Sequence, residues 1–239
     1  MSNNLEKYKV GLVAGTLQTM MVYPFDVIRI RLFTKEMIGR WFYNGIIFTL
    51  ITNIIKTGLY YPTQDIISSY LGSNRQITTN FIVGTLTGLI TTPINAVKIP
   101  LQMSCNNKFQ NVIREIYKKY GLGGFMRGAV PICLRDAIWT IVYFSMFNRA
   151  NGHEHILLAS LSSSLVATTL AYPFDGSRIC MQHHRHQHSF WYGFKESLQL
   201  KQSNIKSFVV GNTRVSIATC IGHYTYLKLG KGEGDTLSP

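Results

Sequence analysis

One phrase occurs three times in this chain, and it constrains the fold more than any other feature. It reads Tyr23-Pro24-Phe25-Asp26-Val27-Ile28-Arg29, then Thr92-Pro93-Ile94-Asn95-Ala96-Val97-Lys98, then Tyr172-Pro173-Phe174-Asp175-Gly176-Ser177-Arg178. The shared template is a proline, Asp or Asn two residues on, and Arg or Lys five residues on. With only seven prolines in 239 residues, composition predicts far fewer than one chance match. Three matches mark an internal repeat, so the chain reads as three copies of one supersecondary unit.

The repeat extends upstream. Nine residues before each proline stand Gly15, Gly84 and Ser164, and five before stand Thr19, Gly88 and Thr168. Small residues four apart share a helix face and let helices approach closely in a membrane. Gly11 with Gly15, Gly84 with Gly88, and Ser160 with Ser164 fit that pattern. Six long segments follow. The odd ones run Tyr8–Phe33, Ile77–Gln102 and His155–Gln182, and the even ones Thr49–Leu71, Pro131–Arg149 and Val209–Leu229. Each is long enough to cross a bilayer. The stretch Phe109–Lys119 puts Phe109, Val112, Ile113 and Ile116 on one face and reads as a short amphipathic helix at the membrane surface. The expectation is an all-α membrane protein. It has six transmembrane helices in three pseudo-threefold hairpin repeats, with short amphipathic helices on the inner side. The repeats span about 5–72, 75–151 and 153–230 of a single domain, 1–239.

Composition agrees. Only 15% of residues are charged, against about 25% in a typical soluble domain. The mean hydropathy of +0.09 suits helices with one face on lipid and another on a wet cavity. The net charge of +13 would fit a nucleic-acid binder or a protein on anionic lipid, so placement decides. The linkers after the prolines, 34–56, 103–127 and 183–206, hold twelve Lys/Arg against three acids. The termini and opposite loops hold six against four. That asymmetry puts the linkers on the inner side, and no compact basic stripe for nucleic acid appears. Cys105, Cys133, Cys180 and Cys220 show neither a disulfide framework nor zinc spacing. The polar stretch Met1–Lys9 does not read as a secretory signal.

Proline lacks an N–H and bends a helix, so kinks are expected at Pro24, Pro93 and Pro173. The acid and base three residues apart would share the converging face. Charges at membrane depth are costly and normally paired. Arg135-Asp136 and Arg214 stand alone inside apolar even segments. Arg135 either pairs with Asp136 or a neighbouring helix, or contacts an anionic substrate through its planar fork. Trp139 and Tyr143, one turn apart, would either stack on a base or pack ordinarily. His183, His184, His186 and His188 form a cluster that either binds a metal or adds positive charge to a solvated loop, and the latter is adopted. No Walker loop, catalytic triad or HExxH run is present, so no enzyme activity, cofactor or metal is expected.

The threefold Pro-x-Asp-x-x-Arg phrase resembles the signature of the mitochondrial carrier family. Tyr43-Asn44-Gly45, Phe125-Met126-Arg127-Gly128 and Trp191-Tyr192-Gly193 in the linkers extend the resemblance from Tyr8 to Lys228. The first linker is short for that family. The resemblance implies an inner gate in which Asp26 meets Lys98 and Asp175 meets Arg29. Asn95 would face Arg178 without a formal charge, weakening the gate. It also implies that Gln102 and Gln182 brace these pairs, while Phe33 departs from the pattern. Phe147-Asn148 and Tyr226-Leu227 keep the aromatic of an outer gate but lose its acid. Substrate contacts are implied at Arg135, Asp136 and Arg214, with Trp139 alongside and a first contact near Leu59. Pro62-Thr63-Gln64 points to nucleotide carriers, whereas Arg135-Asp136 points to amino-acid carriers. The reading adopted is an alternating-access exchanger of anionic metabolites, nucleotides such as ADP, ATP or deoxynucleotides. An amino-acid or carboxylate carrier, or an ion leak, is the alternative. The implied setting is the mitochondrial inner membrane, as a monomer in contact with cardiolipin.

Overall fold

Long apolar stretches can satisfy their backbone groups away from water only by forming helices or closed barrels. The computed structural model of the chain describes residues 2–36, 42–72, 75–103, 109–149, 156–183 and 189–231, and among them it contains helices and no strand. In order these are α1 (Ser2–Thr34), α2 (Ile46–Leu71), α3 (Gln76–Met103), α4 (Phe109–Tyr120), α5 (Ala129–Arg149), α6 (Ile156–Gln182), α7 (Phe190–Leu198) and α8 (Gln202–Lys231). A 3-10 turn, Leu122–Met126, leads into α5. The six long helices each pack on the next in chain order, and α8 returns to α1, which closes a ring. The α1–α2 seam is the thinnest.

The ring is inverted relative to a soluble protein. Thr19, Thr52, Thr87, Asn95, Gln102, Asp136 and Ser163 are buried, while Met20, Met21, Ile47, Phe81, Leu158 and Val209 are exposed. A contiguous apolar exterior around a polar interior suits lipid outside and water or ligand inside. Among the described residues, three stretches are long and apolar enough to cross a membrane: Gln76–Met103, Leu122–Phe147 and Leu157–Gln182. α2 carries a shorter apolar stretch, Ile46–Lys56.

α1, α3 and α6 stay helical through Pro24, Pro93 and Pro173, and α3 also through Pro100. Six to ten residues past these prolines the three helices meet in an apolar plug of Ile30, Phe33, Ile99, Met103, Ile179 and Cys180. Phe33, which occupies the place of a third brace, fills this plug. Two tyrosines preceding the prolines tie odd helices to the starts of even ones. Tyr23 Oη donates to the Asn44 carbonyl at 2.6 Å, and Tyr172 Oη to the Asn204 carbonyl at 3.0 Å.

The expected small-residue contacts divide. At Gly84 a Cβ would lie 2.6 Å from Thr140 Oγ1 and 2.7 Å from Ala137 Cα, and at Gly88 3.0 Å from Cys133 Cα. α3 and α5 therefore touch through glycines. Ser160 Oγ meets Tyr143 Oη at 3.2 Å, and Ser164 Oγ meets Thr219 Oγ1 at 3.4 Å. Gly15 has nothing within 4 Å of a built Cβ, because it borders a cavity rather than a neighbouring helix.

α4 forms where expected, but its apolar face covers the bundle. Val112 and Ile116 join Val97 and Leu101 of α3, with Phe48, Ile113 and Phe125 against them. The stretch 183–206, read only as a polar linker, contains α7. Ser189 Oγ accepts from the Tyr192 N–H at its start, and Gly193 lets it approach α6, where a Cβ would sit 2.7 Å from Ser177 Cα.

Gly84→Val is expected to force α3 from α5 and cost about 1–3 kcal/mol. Gly15→Ala should not lower stability. Thermal unfolding of the two variants in detergent checks the contrast.

Candidate functional site

All six long helices contribute to one cavity of about 670 Å³. Each supplies a single cation to its lining: Arg29 from α1, Lys56 from α2, Lys98 from α3, Arg135 from α5, Arg178 from α6 and Arg214 from α8. Three carboxylates share the lining, Asp26, Asp136 and Asp175. Among the lining residues, fixed positive charge exceeds negative by three. Such a surplus in a partly desolvated site is costly unless an anion balances it.

The three acids distribute these cations. Asp175 is held by Arg29, by Arg178 on its own helix at 2.8 Å, and by Arg135 Nη1 at 3.1 Å. Asp26 lies 4.0 Å from Lys98 Nζ and 3.2 Å from Arg214 Nε. Asp136 Oδ2 takes Lys56 Nζ at 2.5 Å, while its Oδ1 takes Arg135 Nε at 2.9 Å and Nη2 at 2.6 Å. Arg135 thus spans two carboxylates on two helices, which its planar fork allows and a lysine could not match. Lys56 and Asp136 sit on α2 and α5, which are not neighbours in the ring, so their bridge crosses the interior.

Arg29 therefore lies against Asp175, and Lys98 lies at the outer limit of pairing with Asp26. Asn95 turns to its own helix, its Nδ2 donating to the Thr91 carbonyl at 2.9 Å. Arg178, with no carboxylate at position 95 to meet, turns to Asp175. The glutamines do not bond to these pairs. Gln182 Nε2 donates to the Arg127 carbonyl at 3.0 Å, and the Gln102 side chain is fully buried. Gln182 is engaged instead where Gly128, at φ +82°, brings the turn before α5 against it.

Trp139 and Tyr143 stack at 4.8 Å with an interplanar angle of 8°, and Phe147 continues the stack at 5.7 Å. Trp139 and Tyr143 line the cavity. Leu59 does not line it. Thr52, Asn53 and Lys56 do, because α2 starts at Ile46 and presents that face. Lys56 falls at the end of the stretch 34–56 that reads in sequence as a linker. The signal that singled out Arg135 and Arg214, a lone charge in an apolar segment, applies equally to Lys56 between Asn53-Ile54-Ile55 and Thr57.

His183 is buried, with Nε2 3.8 Å from Glu36 Oε1, while His184, His186 and His188 lie outside the described residues. So do the side chains of Asn148 and Tyr226 and the whole of Cys105. Cys133, Cys180 and Cys220 are free.

Comparison with known proteins now bears on this arrangement. The family model described as mitochondrial carrier protein matches residues 73–154. A mitochondrial substrate carrier family protein X of Dictyostelium discoideum is 24% identical over 69% of this chain and 68% of its own length. Over residues 73–154 this chain is thus similar to the mitochondrial carrier family. A mitochondrial glycine transporter of Kluyveromyces lactis is 22% identical over 79% of this chain and 85% of its own length. A mitochondrial thiamine pyrophosphate carrier 1 of Candida glabrata is 32% identical over 41% of this chain, which spans 37% of that relative. The chain also spans only 27% of a calcium-binding mitochondrial carrier protein of Dictyostelium discoideum. Members of this family are transporters and not enzymes.

Asp136→Ala would leave Lys56 and one side of Arg135 unpaired inside the cavity. It is expected to cost about 3–5 kcal/mol, the size seen when one partner of a buried pair is removed. Removing Glu196, which pairs with the more exposed Lys201 outside the cavity, should cost under about 1 kcal/mol. Denaturation midpoints of the two variants check this difference.

Proposed function

We propose that this chain is a six-span, pseudo-threefold exchanger of phosphorylated anions, nucleotides foremost, in the mitochondrial inner membrane. The observation that carries the reading is the cavity with one cation from every long helix and a surplus of three positive charges. A nucleoside diphosphate or triphosphate carries roughly the charge that would balance this surplus. The volume lies within the usual range of small-molecule sites, about 300–1,000 Å³. The Trp139–Tyr143 stack offers an aromatic face for a base beside Arg135.

In the proposed cycle the odd helices bend at Pro24, Pro93 and Pro173 and converge on the apolar plug. Asp26, Arg29, Asn95, Lys98, Asp175 and Arg178 hold that end shut as an inner gate. Arg135, Asp136 and Arg214 take the substrate. The cavity opens to the other side because the substrate interacts more strongly with the occluded state than with the closed one. Six helices of one chain enclose the cavity, which supports action as a monomer.

A second reading, amino-acid exchange, is favoured by the Arg135–Asp136 pair, which offers a carboxylate for an ammonium and a guanidinium for a carboxylate. The names of the glycine-transporting relatives point the same way. A zwitterion, however, leaves the surplus charge unbalanced.

Purified protein in liposomes is expected to exchange labelled ADP for internal ATP. Unlabelled nucleotides and thiamine pyrophosphate should compete, and glycine should not. Arg135→Ala with Arg214→Ala should lower uptake by at least about 100-fold, because two charged contacts of a few kcal/mol are lost. Full uptake by that double variant overturns the substrate assignment. Competition by glycine alone overturns the nucleotide reading. Dissipation of a membrane potential without substrate would identify an ion leak.

A further inference from the structure

Two polar side chains meet beyond the apolar plug, on the side away from the cavity. Ile30 and Phe33 of α1 and Ile179 and Cys180 of α6 belong to the plug. Three residues past Phe33 stands Glu36, and three residues past Cys180 stands His183. His183 Nε2 lies 3.8 Å from Glu36 Oε1, and the imidazole is buried. α1 and α6 are not consecutive in the ring, so this contact joins two helix ends across it.

The turn that delivers Glu36 is strained. Lys35 has φ +58°, and among the described residues it is the one non-glycine residue with a positive φ. A side chain in that left-handed region is disfavoured, and glycine is the usual residue where a helix stops in this way. The Lys35 N–H donates to the Leu32 carbonyl at 3.4 Å and the Glu36 N–H to the Arg31 carbonyl at 2.9 Å, which ends α1 and turns the carboxylate towards α6. Backbone held in a costly conformation is concentrated at switch regions and other functional sites.

The other charged groups around His183 have partners of their own. Tyr120 of α4 and Arg127 of the turn before α5 share a small cleft with it, as do Ala96 of α3 and Gln182 of its own helix. The Arg127 guanidinium lies 4.4 Å from the centre of the Tyr120 ring, and Lys119 Nζ lies 5.3 Å from it. On α1, Arg31 Nε donates to the Gln102 carbonyl at 3.0 Å. On α7, Glu196 pairs with Lys201. Among the described residues, Glu36 is the carboxylate beside this imidazole.

We propose that Glu36 and His183 form a proton-operated clasp on the inner ends of α1 and α6. Protonated His183 is held by Glu36 and keeps the two ends together beyond the plug. Loss of the proton removes the attraction and lets them part. Imidazole is the side chain whose ordinary titration falls between about pH 5 and 8. Glu36 favours the charged imidazole in the closed arrangement, so the clasp contributes at lower pH and is lost as pH rises. It is separate from the charges of the cavity, and it rests on the reading that this end of the bundle opens.

Cys180, free and buried in the plug, reports opening without any substrate. Its alkylation by iodoacetamide in the full-length chain in detergent is followed by peptide mass spectrometry, with the exposed Cys220 as reference. At pH 6, Glu36→Gln is expected to speed alkylation of Cys180 about two- to fivefold over the parent, the factor that a partly exposed ion pair is worth. At pH 8 the two chains should react alike. Comparison at a single pH cancels the thiol's own pH dependence. With His183→Gln in both chains, the difference at pH 6 should vanish. His183→Gln alone should match Glu36→Gln, and it serves if that variant lacks a cooperative thermal transition. This pattern supports the clasp. An effect of Glu36→Gln that is absent, equal at both pH values or retained with His183→Gln overturns it and leaves anion exchange standing. Cys180 that stays unreactive in every variant while Cys220 reacts overturns both the clasp and the opening of this end.

Discussion

Everything in this molecule depends on keeping nine ionised side chains inside a ring of helices whose outer surface is apolar. Ions at such depth are tolerated only when paired or when they face water. The chain meets that condition by letting three carboxylates serve six cations. Asp175 alone takes three arginines from three helices. The ring of six helices is the frame that lets these residues reach one another.

Two kinds of packing sustain the ring around this charge. Where α3 meets α5, Gly84 and Gly88 remove side chains so that the backbones touch. Where α1, α3 and α6 meet, six apolar side chains seal the end beyond the acids. The tyrosines at 23 and 172 then lock the entries of the even helices to the odd ones. The second repeat has Thr92 at the equivalent position, and its hydroxyl bonds back to Gly88 within α3. The three recurrences of the proline phrase therefore differ in detail. The inequality is greatest where Asn95 replaces an acid.

Sequence alone determined the recurring phrase, the helical class, the odd-helix residues that would carry charge, and the apolar character that suits a membrane, because these follow from spacing and polarity along the chain. Asp26, Asp175, Arg29, Lys98 and Arg178 were legible because a short phrase recurs. Arg135 and Arg214 were legible as lone charges in apolar runs. Tertiary structure decided what each of them touches. That Arg135 bridges Asp136 and Asp175, that Lys56 crosses the interior to Asp136, that Gly15 faces open space, and that α4 covers the bundle all depend on helix register. Register is set where helices meet, as where Gly84 and Gly88 let α3 touch α5, and a one-dimensional pattern does not encode which turn will abut which. The same reason explains why a residue near Leu59 was expected in the cavity and Thr52, Asn53 and Lys56 stand there instead.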